Sequence, residues 1–122
     1  MFSKFLSNLF PGSKDMKVYR ELCDTLRTIL IPLGFTASER DVQAGLSKEI
    51  TFQKDTHIVV FVFSIRERIY SLLTPNPEKG LMTDGLTPRP DNIVLYFLPC
   101  TQYNDSKKAG LQKAAKEWAG KP

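Results

Sequence analysis

The sequence predicts an α+β domain, with an N-terminal helix, a four- to five-stranded mostly antiparallel sheet and a C-terminal helix in two or three layers. Three observations carry the prediction. Residues 15–30 repeat apolar side chains at helical spacing over a polar opposite face. Ile58, Val59, Val60, Phe61, Val62 and Phe63 form an unbroken apolar run, and neighbours on a strand point to opposite faces, so this strand needs cover on both sides. Leu111, Ala114, Ala115 and Trp118 then trace a second helical stripe near the C-terminal end.

The first helix is the best-defined element. Tyr19, Leu22, Cys23, Leu26, Ile29, Leu30 and Leu33 share one face, while Lys17, Glu21, Asp24 and Thr28 occupy the other. Ser13 or Asp15 can cap its first turn by accepting from a free amide. Pro32 disfavours helical geometry at Ile31, and Gly34 supplies the permissive stop.

Residues 35–40 read as a short strand near an edge, and 41–45 turn the chain. Residues 47–53 read as the second strand. A three-residue loop, Lys54-Asp55-Thr56, sets Phe52 against Ile58 and Ile50 against Val60. That register groups Ile50, Phe52, Ile58, Val60 and Val62 on one face and leaves Val59, Phe61, Phe63 and Ile65 on the other. Seventeen residues from His57 to Leu73 exceed one ordinary strand, so a break is expected at Arg66-Glu67-Arg68, with residues 69–74 as the next strand. Residues 92–98 (NIVLYFL) read as a further buried strand ending at Pro99. The closing helix is expected over 106–119, capped by Asp105 or Ser106 and stopped at Gly120; Gly110 weakens it by about 1 kcal/mol relative to alanine.

Residues 13–122 are read as one domain, as a chain of 122 residues allows. Residues 75–91 interrupt it with four prolines and two glycines, a longer irregular connection than compact domains usually carry. Its Asp84-Gly85 step is a favoured hairpin turn between apolar flanks. Residues 1–12 form a separate amphipathic segment in which Phe2, Phe5, Leu6 and Leu9 align at helical spacing. So short a helix is marginal in water unless it docks.

Most chemistry is excluded. His57 is the only histidine, and neither Cys23 nor Cys100 sits in a nucleophile motif or CxxC pair. No catalytic residue, metal set or cofactor is therefore assigned, and no glycine-rich loop opens a helix to hold phosphate. No segment approaches the roughly 18 apolar residues of a membrane span, and the N-terminal stretch lacks a signal-peptide pattern, which points to the cytoplasm. Phe61 and Phe63 alternate on one strand ahead of Arg66 and Arg68, as stacking aromatics do in RNA-binding sheets, but the glycine and basic residue of that signature are missing. Nucleic acid is not an expected partner.

Protein interaction remains. The chain has more apolar surface than one small core needs, and exposed patches of that kind mark partner sites. The expected partner is another protein or a second copy of the chain, with Phe2, Phe5, Leu6, Leu9, Leu81, Met82, Leu86 and Arg89 as contacts. The alternative is a membrane surface met through residues 1–12. The net charge is +4, with five lysines in the last thirty residues against Asp105 and Glu117. Lys107 and Lys108 stand in the first turn of a helix, where positive charge opposes the dipole, so they are candidate anion contacts. The layout resembles that of small bacterial secretion chaperones and toxin-immunity proteins; no motif carries the likeness, and no family is assigned.

Overall fold

The computed structural model describes residues 12–42, 45–75 and 92–121. Helix α1 (Gly12–Leu30) runs through a 3-10 turn, Ile31–Leu33, to Gly34, whose left-handed φ of 99° ends the segment. Five strands follow: β1 (Thr36–Val42), β2 (Ser47–Lys54), β3 (His57–Ser64), β4 (Ile69–Thr74) and β5 (Ile93–Pro99). A second 3-10 turn, Cys100–Gln102, leads into helix α2 (Asp105–Ala119). The strands form one open antiparallel sheet in the order β1-β2-β3-β4-β5. This is the α+β arrangement expected, with five strands.

Both described helices lie on the same face of the sheet. Leu22, Leu26 and Leu30 of α1 and Leu111 and Ala115 of α2 share one buried cluster with Ile50, Phe52, Val59, Phe61, Phe63, Tyr70, Leu72 and Leu98. Tyr19 stacks flat on Phe61, with ring centroids 5.7 Å apart, and Phe61 stacks in turn on Tyr70 at 6.0 Å. Rings of this size dominate core energetics.

The β2–β3 register corrects the expectation. Lys54 pairs with His57, so the loop is two residues, Asp55-Thr56, and Phe52 faces Val59 while Ile50 faces Phe61. Asp55 takes the left-handed conformation (φ 54°) that so tight a turn requires, and Gln53 Nε2 donates to its carbonyl at 3.2 Å. A slip of one residue moves every side chain to the other face. Phe61 and Phe63 therefore join Ile50 and Phe52 under the helices, while Ile58, Val60 and Val62 turn away. The larger rings occupy the face that the helices cover.

The break between β3 and β4 falls where expected, and Arg68 supplies the left-handed residue (φ 57°) in place of a glycine. Two helix caps differ from expectation. Asp15 lies within the first turn of α1 and gives its carboxylate to Arg68; the Ser13 side chain lies outside the described residues. Asn104, not Asp105 or Ser106, caps α2 by accepting from Lys107 N at 2.8 Å. Gly110 also has a structural reason. A Cβ there would fall 3.0 Å from Tyr96 Cε1 and Cζ and closer still to its hydroxyl, so the missing side chain lets α2 rest on β5.

Candidate functional site

The cysteines lie in small buried polar sets, Cys100 beside Tyr70, Asp15 and Arg68, and Cys23 beside Tyr19. His57 is exposed at the start of β3 and meets only the edge of Trp118, 6.3 Å away. Cys23 and Cys100 are free and buried. Burial pushes the Cys23 thiol up to about 12 and raises that of Cys100 as well, which keeps both protonated and unreactive. No group of three His, Cys, Asp or Glu among the described residues is placed to hold a metal ion. The most buried polar cluster serves the fold: Arg68 Nε and Nη2 donate to Asp15 at 2.7 and 3.1 Å, and Tyr70 Oη donates to the Asp15 carbonyl at 2.6 Å. Every buried side-chain polar atom among the described residues has a partner, so none is left pointing at a missing ligand.

Of the two anion-contact candidates, Lys108 uses its ammonium within the chain, whereas Lys107 is exposed and is held through its backbone. Lys108 Nζ donates to Glu21 Oε1 at 3.2 Å, and Tyr103 Oη donates to Oε2 at 3.0 Å. These two bonds hold the Glu21 carboxyl below its ordinary range. The Lys107 amide is taken by Asn104, and its carbonyl accepts from Tyr96 Oη at 2.9 Å. The first-turn lysines thus clamp α2 to α1 and to β5. Phe61 and Phe63 lie beneath Tyr19, 1% and 0% exposed, and offer no ring to a base. Phe2, Phe5, Leu6, Leu9, Leu81, Met82, Leu86 and Arg89 lie outside the described residues. No described helix is long and apolar enough to cross a membrane.

Two open clefts flank the helices. One, of about 350 Å³, separates the start of α1 from β1 and β2. Most of its charges pair internally, Lys48 with Asp41 at 2.7 Å, Arg40 with Glu49 at 2.7 Å, and Glu39 with Arg27 at 2.8 Å, while Arg20 also lines it. The other, of about 510 Å³, runs between α1 and α2 over Ile29 and Leu33, with Lys108 and Lys116 beside it.

The feature that stands apart is β5. It was expected to be a buried strand, yet among the described residues it is a sheet edge, with Ile93, Val94 and Phe97 exposed at 45%, 57% and 56%. Its register against β4 breaks between Leu72 and Leu73, so Leu95 is an extra residue in a β-bulge. Across the bulge Phe97 pairs with Ser71 and Val94 with Leu73, both on the face away from the helices. Three residues apart, Val94 and Phe97 would sit on opposite faces of a regular strand; the bulge puts them side by side. The Cys100 amide donates to Arg68 O at 2.9 Å, toward β4. Alternation therefore directs the backbone groups of Phe97 and Pro99 to the free side. A proline, with no N–H to offer, belongs at such a position.

The two edges of the sheet contrast. β1 (TASERDV) carries Glu39, Arg40 and Asp41, each in a salt bridge of its own, and charges of this kind blunt an edge against pairing. No charged residue occurs from Asn92 to Asn104. Comparison with protein families, curated proteins and solved structures returns no match. Function must therefore be read from this surface.

Sequence reasoning passed over Ile93, Val94 and Phe97 because six apolar residues in a row, Ile93 to Leu98, look like a central strand. The signal that identifies the edge was Pro99, which a strand paired on both sides cannot hold in mid-ladder.

Proposed function

We propose that this chain is a small, non-catalytic protein-interaction module that binds through β5. One observation carries the reading: an uncharged edge strand exposes Ile93, Val94 and Phe97. Unguarded sheet edges accept another strand through main-chain hydrogen bonds, and alternate side chains then confer selectivity. The burial of both thiols and the internal pairing of the buried polar groups support a binding role over catalysis. Two free buried thiols and no disulfide fit a cytoplasmic setting.

The test is photo-crosslinking in cells. Benzoylphenylalanine in place of Phe97 should give a discrete protein adduct on illumination. The same group in place of Ser38, on the guarded edge, should give none. Absence of any adduct at position 97, in a chain that folds normally, overturns the reading.

A further inference from the structure

Resting on that reading, we infer that the occupant of the β5 edge is a second copy of this chain, paired antiparallel through β5 about a two-fold axis to make a ten-stranded sheet. Three features of the strand select this partner.

The first is charge. An isologous interface sets a surface against itself, so any charge on the axis meets its own kind. β5 and the turn after it carry none, from Asn92 to Asn104. The opposite edge would not serve, because Glu39, Arg40 and Asp41 are held by Arg27, Glu49 and Lys48 and would have to be stripped of these partners. A β5-to-β1 contact would also be head-to-tail and would propagate rather than close.

The second is the bulge at Leu95. Val94 and Phe97 share one face and are both more than half exposed. Antiparallel pairing about a point between Leu95 and Tyr96 puts Val94 of each copy opposite Phe97 of the other. That is an aromatic against a β-branched side chain, twice over, a favourable cross-strand combination. The strand is its own complement.

The third is Pro99. It withholds an N–H from the free side at one end of β5. Pairing is thereby limited to the residues before it, which contain the Val94–Phe97 repeat. So short an interface lies at the small end of protein contacts and supports a dimer in the micromolar range.

The experiment is sedimentation velocity with light scattering on the full chain, at concentrations on the order of 10–500 µM. The expected result is a reversible dimer of the 13.8 kDa chain. Val94→Glu or Phe97→Lys alone should raise the dissociation constant roughly 100-fold, because each puts a charge into an apolar pair. Mixing Val94→Glu chains with Phe97→Lys chains should restore a heterodimer, since one of the two cross-strand pairs becomes oppositely charged and the other stays native. Both positions are exposed, so unchanged circular dichroism confirms that the variants fold.

A monomer at every concentration overturns the second-copy inference; if Phe97 still gives its discrete adduct in cells, the interaction reading stands with a different partner. A dimer that survives both substitutions also overturns the inference, and with no adduct at position 97 it removes the reading itself. Dissociation by each variant without rescue in the mixture overturns the antiparallel register.

Discussion

Arg68 holds Asp15 from 53 residues away, Nε to Oδ2 at 2.7 Å and Nη2 to Oδ1 at 3.1 Å, and so fixes the start of α1 to the β3–β4 turn. The two partners are unequal. The Asp15 side chain is 5% exposed, whereas that of Arg68 is 43% exposed. Removing the arginine leaves a buried carboxylate alone, but removing the carboxylate frees an arginine that can reach water. Arg68→Met should therefore lower the thermal midpoint more than Asp15→Asn does. Differential scanning calorimetry of the two variants checks the order.

Phe61 and Phe97 make a paired test of core against edge. Phe61→Ala should cost about 3–5 kcal/mol, because it leaves a cavity beneath Tyr19 and beside Tyr70. Phe97→Ala, on an exposed side chain, should stay within about 0.5 kcal/mol of the parent when measured on the monomer. Urea unfolding at low protein concentration reads both.

Gly110→Ala should fail to stabilise α2. Helix propensity favours alanine by about 1 kcal/mol, but the new methyl displaces the Tyr96 ring and its bond to the Lys107 carbonyl, worth about the same. In a Tyr96→Phe background the closest obstruction and the hydrogen bond are both gone. There the substitution should be more favourable than in the parent, and a double-mutant cycle on unfolding free energies measures the difference.

Cys23 should set an alkaline limit on stability. Its thiol is raised from an ordinary 9.0 to about 12 by burial, so between these values the folded chain keeps a proton that the unfolded chain has lost. Unfolding then becomes easier as pH rises, by about 1.4 kcal/mol per pH unit from this group, with no contribution below pH 9. Cys23→Ala should reduce that slope in urea titrations between pH 9 and 11, leaving the part owed to Cys100 and to the buried tyrosines Tyr19 and Tyr70, which burial also raises. The native thiol should also resist Ellman's reagent at pH 8.

Glu21 governs the acid side of the α1–α2 clamp. Its carboxyl is lowered by the Lys108 and Tyr103 hydrogen bonds, so its contribution is present above the ordinary carboxyl range and is lost as pH falls through the lowered value. Lys108→Ala and Tyr103→Phe should each move the Glu21 titration upward, toward the ordinary range, when followed by carbon NMR. The carboxyl is exposed, and salt should shrink the effect.

Much of the architecture was legible because it rests on periodicity. The stripe from Tyr19 to Leu30 and the apolar run at β3 left little choice of element. The faces were harder. Whether Phe61 faced the helices turned on one residue of the Lys54-Asp55-Thr56 loop, and local pattern does not distinguish Asp55 in a two-residue turn from Lys54 in a three-residue one. The surface at β5 was hidden for a related reason. An apolar strand is consistent with burial on both faces or with a seat at the edge, and only the strand order separates them. Asn104 was missed as a cap because Asp105 and Ser106 beside it have equally suitable side chains. Lys108 looked unexplained because its partner, Glu21, is distant in sequence; the charge of Lys107 has no structural explanation.

The simple strand order has a consequence for synthesis. Each strand pairs with its chain neighbour, so the sheet can assemble in sequence as the chain emerges, through local contacts of the kind that fold quickly. Leu111, Ala115 and Trp118 emerge after all five strands, yet they complete the cluster around Phe35, Leu98 and the rest of the core. A chain cut short before Asp105 would carry all five strands with part of their principal core bare. Exposed apolar surface of that kind makes incomplete chains prone to aggregate.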